Sequence, residues 1–126
     1  GKAVTMKNVT INETHDYYAM WITATGQTVN IDGLTINAEN GRGIKIDEQY
    51  RDNPSKVTLT VKNSKFTTAS KAAILVKSVA GAEINVSNVD ITGVAADTVN
   101  AVWVDADSAA HADKVVVNGA TKFQEQ

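Results

Sequence analysis

Apolar and polar residues alternate with period two in short segments that return along the whole chain. VTMKNVTI from Val4, VNIDGLTI from Val29, LTVKNSKF from Leu59 and INVSNVDI from Ile84 are variations on one octet, and VVVNGAT from Val115 is a shortened fifth copy. A two-residue period belongs to a strand with one buried face. Each octet therefore predicts inward-facing residues on both sides of a central polar one. Before it stand Val4/Met6, Val29/Ile31, Leu59/Val61, Ile84/Val86 and Val115/Val117. After it stand Val9/Ile11, Leu34/Ile36, Ser64/Phe66 and Val89/Ile91, with only Ala120 in the fifth copy.

The central column reads Asn8, Gly33, Asn63, Asn88 and Gly119. Asn and Gly are the residues that most readily take positive φ, Gly because it has no Cβ and Asn because its short amide bonds locally. The column predicts a corner, with the strand continuing inward-facing beyond it. Its intervals of 25, 30, 25 and 31 residues (33−8, 63−33, 88−63, 119−88) lie in the range of stacked repeats. The like residues Asn63 and Asn88 are expected to pair their amides, while Gly33 interrupts the ladder above Asn8.

A second, shorter strand recurs within each interval: AMWI from Ala19, GIKI from Gly43, AILV from Ala73 and AVWV from Ala101. Its second and fourth positions, Met20/Ile22, Ile44/Ile46, Ile74/Val76 and Val102/Val104, are expected to face inward. Three short strands per turn describe a coil. Val, Ile and Thr dominate these segments and no i, i+3, i+4 spacing is sustained, which argues against helix. A β-sandwich offers no reason for Asn or Gly to recur at one corner of every unit.

On these corners filled by Asn and these inward ladders of Val and Ile, the chain resembles the right-handed parallel β-helix of the pectin-lyase-like superfamily, from Val4 to about Ala120. The resemblance implies an all-β solenoid of about five coils, 25–31 residues per coil, forming a single domain over 1–126. It also implies a bacterial protein that is extracellular or on the cell surface. That architecture carries polysaccharide lyases, glycoside hydrolases, tailspikes, adhesins and inert stalks, so the fold does not fix the activity. Polygalacturonase-like members carry Asn-Thr-Asp, Asp-Asp, Gly-His-Gly and Arg-Ile-Lys segments. The nearest segment here, Gly43-Ile44-Lys45-Ile46, lacks the Arg, and no catalytic residue is carried over.

Composition narrows the partners. Among 126 residues, 12 basic and 14 acidic side chains leave a net charge of −2, which provides no cationic field for nucleic acid or an anionic membrane. No apolar run reaches the roughly 18 residues that cross a bilayer. Cysteine is absent, which removes disulfides and thiolate chemistry. A leading Gly in place of Met reads as a piece excised from a larger protein. Neither terminus looks like a capping helix, so further coils, another domain or end-to-end self-association are expected to cover the ends.

Candidate chemistry sits on the outward column of the short strand: Trp21, Lys45, Leu75 and Trp103. Alternation turns both Trp residues of the chain outward, about 14 Å apart along the stack. Flat aromatics on a rigid sheet suit sugar rings, with Tyr17 and Tyr18 close by. The competing expectation is that the loop over 48–56, or a neighbouring domain, covers the strip. Acids gather after the short strands, Asp47 and Glu48 after the second, Asp105 and Asp107 after the fourth. Such carboxylates serve glycosidic cleavage or calcium in some proteins and solvate strand ends in most. His15 and His111 stand alone in polar loops, so neither a metal nor a cofactor is expected.

Two functional expectations result. The first is a non-enzymatic module that binds polysaccharide or another protein, or serves as a stalk. The second is a fragment of a carbohydrate-active β-helix enzyme whose other coils supply the catalytic groups.

Overall fold

In the computed structural model, residues 3–23, 26–47, 55–68, 73–77, 80–92, 101–104 and 114–124 are described. Twelve strands lie among them: β1 (Ala3–Lys7), β2 (Thr10–Asn12), β3 (Tyr18–Ile22), β4 (Thr28–Asp32), β5 (Thr35–Ala38), β6 (Arg42–Asp47), β7 (Val57–Thr68), β8 (Ile74–Lys77), β9 (Ala82–Thr92), β10 (Ala101–Val104), β11 (Val115–Asn118) and β12 (Thr121–Gln124). No α-helix occurs among the described residues. Every recorded strand pairing is parallel. The octets form a seven-stranded sheet and the short strands a five-stranded sheet in the order β3-β6-β8-β10-β12. Both halves of an octet belong to one sheet, and β7 and β9 run through the corner unbroken. The chain thus alternates between two sheets; of the three short strands expected per turn, the first two turns show all three, β1–β3 and β4–β6, while β7 and β9 each join two into one.

Like residues meet in register. Val4, Val29, Leu59 and Ile84 pair in succession, as do Met6, Ile31, Val61 and Val86. On the other sheet Met20, Ile44, Ile74 and Val102 form the matching column. Ile31, Leu34, Ile36, Ile44, Ile46, Leu59, Val61, Phe66 and Ile84 are at most 1% exposed and make one core between the sheets. Each such side chain contributes about 1.5–3 kcal/mol relative to an exposed one. Ser64 is the polar member of an inward column. Its hydroxyl donates to the Lys62 carbonyl at 2.9 Å and accepts the Leu34 amide at 3.0 Å, which makes its burial tolerable.

The four corner residues have positive φ, Asn8 55°, Gly33 78°, Asn63 53° and Asn88 50°, and so does Gly119, at 82°. The Asn88 amide donates to Asn63 Oδ1 at 2.8 Å, and the Asn63 amide donates to Asp32 Oδ1 at 3.1 Å, so the residue before Gly33 supplies the missing acceptor. Gly33 also leaves room for the Asn8 side chain, which a Cβ would push aside. A Cβ there would lie 2.6 Å from Asn8 Oδ1.

The fifth copy departs from the alignment. Matching Gly119 to Asn88 sets Val115 against Ile84, but the structure pairs Val115 with Ala82, Val117 with Ile84 and Asn118 with Asn85, an offset of 33 residues. Gly119 consequently stands beside Val86, short of the corner column, and a Cβ there would fall on the Val86 carbonyl. From that turn the chain passes straight to β12 on the five-stranded sheet. The last repeat has no counterpart of β2 and β5 and cuts across the end of the core. Lys122 takes the register position of the inward Val102 column, and its ammonium donates to the Val115 carbonyl at 3.1 Å.

Candidate functional site

The outward column of the five-stranded sheet is a true register. Trp21 pairs with Lys45, Lys45 with Leu75, Leu75 with Trp103 and Trp103 with Phe123. Its members differ sharply in access. Trp21 is 54% exposed, Leu75 only 5%, and Trp103 is half-buried. A ligand reaching Trp21 therefore does not run on unobstructed over Leu75 to Trp103, and the accessible part of the column is its first end. Of the loop expected to cover the strip, 48–54 lie outside the described residues.

Around Trp21 the side chains are held by one another. The Tyr18 ring meets the indole edge-on, with centroids 6.3 Å apart and planes at 81°. Lys45 Nζ lies 4.3 Å from the Trp21 ring centre and 5.6 Å from that of Tyr18. The same ammonium is 3.3 Å from Asp47 Oδ2, and both side chains of this pair are largely buried, at 15% and 11% exposure. Asp47 Oδ1 accepts no hydrogen bond among the described residues. Asp47 is thus the counter-ion that fixes Lys45 beneath the aromatic face.

Arg42 joins from the next strand. Its register partner is Tyr18, over whose ring the guanidinium sits at 5.4 Å, and its Nε donates to Asp16 Oδ1 at 3.2 Å. The hydrogen bond with Tyr18 raises the Arg42 pKa above its ordinary value; partial burial opposes this, and the Tyr18 and Asp16 charges reinforce it. The charge-linked stabilisation is present below the ordinary arginine pKa and is lost only as pH rises through the raised one. Arg42 is therefore a fixed cation near neutrality. Tyr17, 66% exposed, stands at the entry to β3 with its ring 6.0 Å from that of His15.

Of the residues singled out in the sequence, the structure brings together Tyr18, Trp21, Lys45 and Asp47, whereas the Tyr17 ring lies against His15. Leu75 shares their column but is covered. Glu48, Asp105 and Asp107 lie outside the described residues, as does His111. Arg42 and Asp16 are the additions. The signal for Arg42 was available: extending the AMWI and GIKI alignment one residue upstream sets Tyr18 against Arg42. A second, polar cleft of about 470 Å³ is lined by Asn12, Glu13, Asn37, Glu39, Asn40 and Thr67, with the Asn37 amide donating to Asn12 Oδ1 at 2.9 Å. Among the described residues no group of three His, Asp or Glu side chains could hold a metal ion.

No protein-family model, no curated protein and no solved structure matches this chain.

Proposed function

We propose that the chain is a non-catalytic binding module, wound as a right-handed parallel β-helix of about five coils, that belongs to a secreted or cell-surface protein and presents a fixed aromatic face to glycan. All-parallel pairing, alternation between two sheets and the positive-φ corners support the winding. The observation that carries the binding reading is the exposed Trp21 indole, braced by the Tyr18 edge and by the Lys45 ammonium 4.3 Å from its centre.

A sugar ring offers a CH-rich face and a rim of hydroxyls. Trp21 supplies an apolar plane for the first, while Arg42 and Asp16, joined to it through the Tyr18 ring, supply donors and acceptors for the second. Each cation has its own carboxylate, Arg42 with Asp16 and Lys45 with Asp47, so the face suits an uncharged ring better than a strongly anionic one. Because the aromatics sit on strands, little conformational freedom is lost on binding.

Calorimetric titration of the chain against soluble neutral polysaccharides and their oligomers tests the reading. The expected outcome is saturable binding without release of reducing ends or unsaturated uronates, weakened about tenfold by Trp21→Ala, as befits the loss of one stacking partner. Absence of binding across the panel, or undiminished affinity in the variant, overturns it.

A further inference from the structure

The first two repeats pass from the seven-stranded to the five-stranded sheet through turns of different length. The first goes from β2 to β3 through 13–17, and the second from β5 to β6 through the shorter 39–41. The Gly41 amide donates to the Ala38 carbonyl at 2.8 Å, and a Cβ on Gly41 would lie 2.6 Å from His15 O and 2.8 Å from Tyr17 O, so the two turns pack backbone against backbone. A short turn beside a longer one leaves a step in the surface. The polar cleft of about 470 Å³ lies there, with Glu13 on one turn and Glu39 and Asn40 on the other. Its floor is the outward row Asn12, Asn37 and Thr67 on β2, β5 and β7. Two of those strands, β5 and β7, are interior ones paired on both sides.

The groups in the cleft are held in place and keep bonding capacity in reserve. Glu13 N donates to Asn37 O at 2.9 Å, and Glu13 Oε1 accepts the His15 amide at 2.9 Å, which leaves Oε2 open. The Asn37 amide donates to Asn12 Oδ1, so Asn37 Oδ1 remains as an acceptor. The exposed side chains of Glu39 and Asn40 bond to nothing among the described residues. A carboxylate can accept both hydroxyls of a vicinal diol, and a primary amide both gives and takes, so this set matches the rim of a sugar ring entering edge-on. The two carboxylates disfavour a uronate or a sulfated ring.

We infer that the cleft is a second sugar subsite, so that the ligand is a chain of several neutral units crossing from one sheet to the other. One ring stacks on Trp21, and another is held by its hydroxyls among Glu13, Asn37, Glu39 and Asn40. This rests on the glycan reading of Trp21. Two short paths join the subsites. Asn40 and Gly41 lead into Arg42, whose guanidinium covers the Tyr18 ring that braces Trp21. Glu13 bonds His15, whose ring lies 6.0 Å from that of the exposed Tyr17 at the entry to β3. Strand register and the packed turns fix the distance between the subsites, so a chain long enough to span them gains from both and a shorter one from a single subsite.

Calorimetric titration with cello-, manno- and malto-oligosaccharides, each from the monosaccharide to the hexasaccharide, tests the inference. The expected result is a step of about tenfold or more in affinity at the length that first reaches both subsites. The double variant Glu39→Ala, Asn40→Ala should remove the step while leaving the affinity for shorter oligomers and the denaturation midpoint unchanged, whereas Trp21→Ala should weaken every length. In heteronuclear NMR, the side-chain amide signals of Asn37 and Asn40 should shift when the hexasaccharide is added. Binding that Trp21→Ala weakens but that shows no step, or a step that survives the double variant, overturns the cleft and leaves the Trp21 face standing. Asn37 and Asn40 signals that stay in place with bound hexasaccharide do the same. No binding by any of the oligomers overturns both.

Discussion

The two ends of the sheets treat the same repeat in opposite ways. The first copy, VTMKNVTI, is faithful to the pattern, and its inward Val4 is left 39% exposed. The last copy, VVVNGAT, is degraded, yet Val117, which takes the place of Val4 beside Ile84, is half-buried and Val115 is only 2% exposed, where the chain turns at Gly119 and Lys122 bonds back to the Val115 carbonyl. Fidelity to a repeat and closure of a core are therefore different properties. A perfect copy asks for a neighbour on each side, and an imperfect one can finish the structure.

Substitution at the two ends and in the middle should separate these properties. The largest effect is expected for Ile84→Ala, which empties a fully buried position and should cost about 2–5 kcal/mol in chemical denaturation. Val4→Ala, in the same column, should cost the isolated chain less than about 1 kcal/mol; equal losses would mean that the first repeat is as closed as the interior. Next comes Gly119→Ala, which adds a Cβ against the Val86 carbonyl at φ 82° and should cost about 2–3 kcal/mol. Asn8→Gly at the opposite corner should stay within about 0.5 kcal/mol, because it relieves positive φ while loosening the unfolded chain. The smallest effect is assigned to Lys122→Met, about 1 kcal/mol from the lost hydrogen bond to Val115. A larger loss there would make the cation, rather than the turn, the main closure.

The inward columns were legible because alternation in a strand leaves only two faces, and a one-residue slip would expose a whole row of Val and Ile. That fixes the succession Val29, Leu59, Ile84 without reference to the rest of the chain. The pairing of Val115 was not legible in this way. Ala82 and Ile84 are both apolar, so either accepts it on pattern, and the choice is made where Gly81, at φ 93°, lets the Lys114 backbone approach. The outward column is legible in direction and not in access. Periodicity says that Leu75 points away from the core, but what lies over it is a matter of tertiary packing. The pairing of Arg42 with Tyr18 and Asp16 depends on residues at the mouth of the strand, where apolar alternation has already stopped.

The side-chain amides also carry a direction. Those of Asn37, Asn63, Asn85, Asn88 and Asn118 all donate to the lower-numbered strand, to Asn12, Asp32, Thr60, Asn63 and Asn85 respectively. The polar surface consequently has a grain, with N–H groups aimed toward the beginning of the chain and oxygens toward its finish. A strand laid beside β2 meets that grain head-on and must bring carbonyl or carboxylate oxygens of its own.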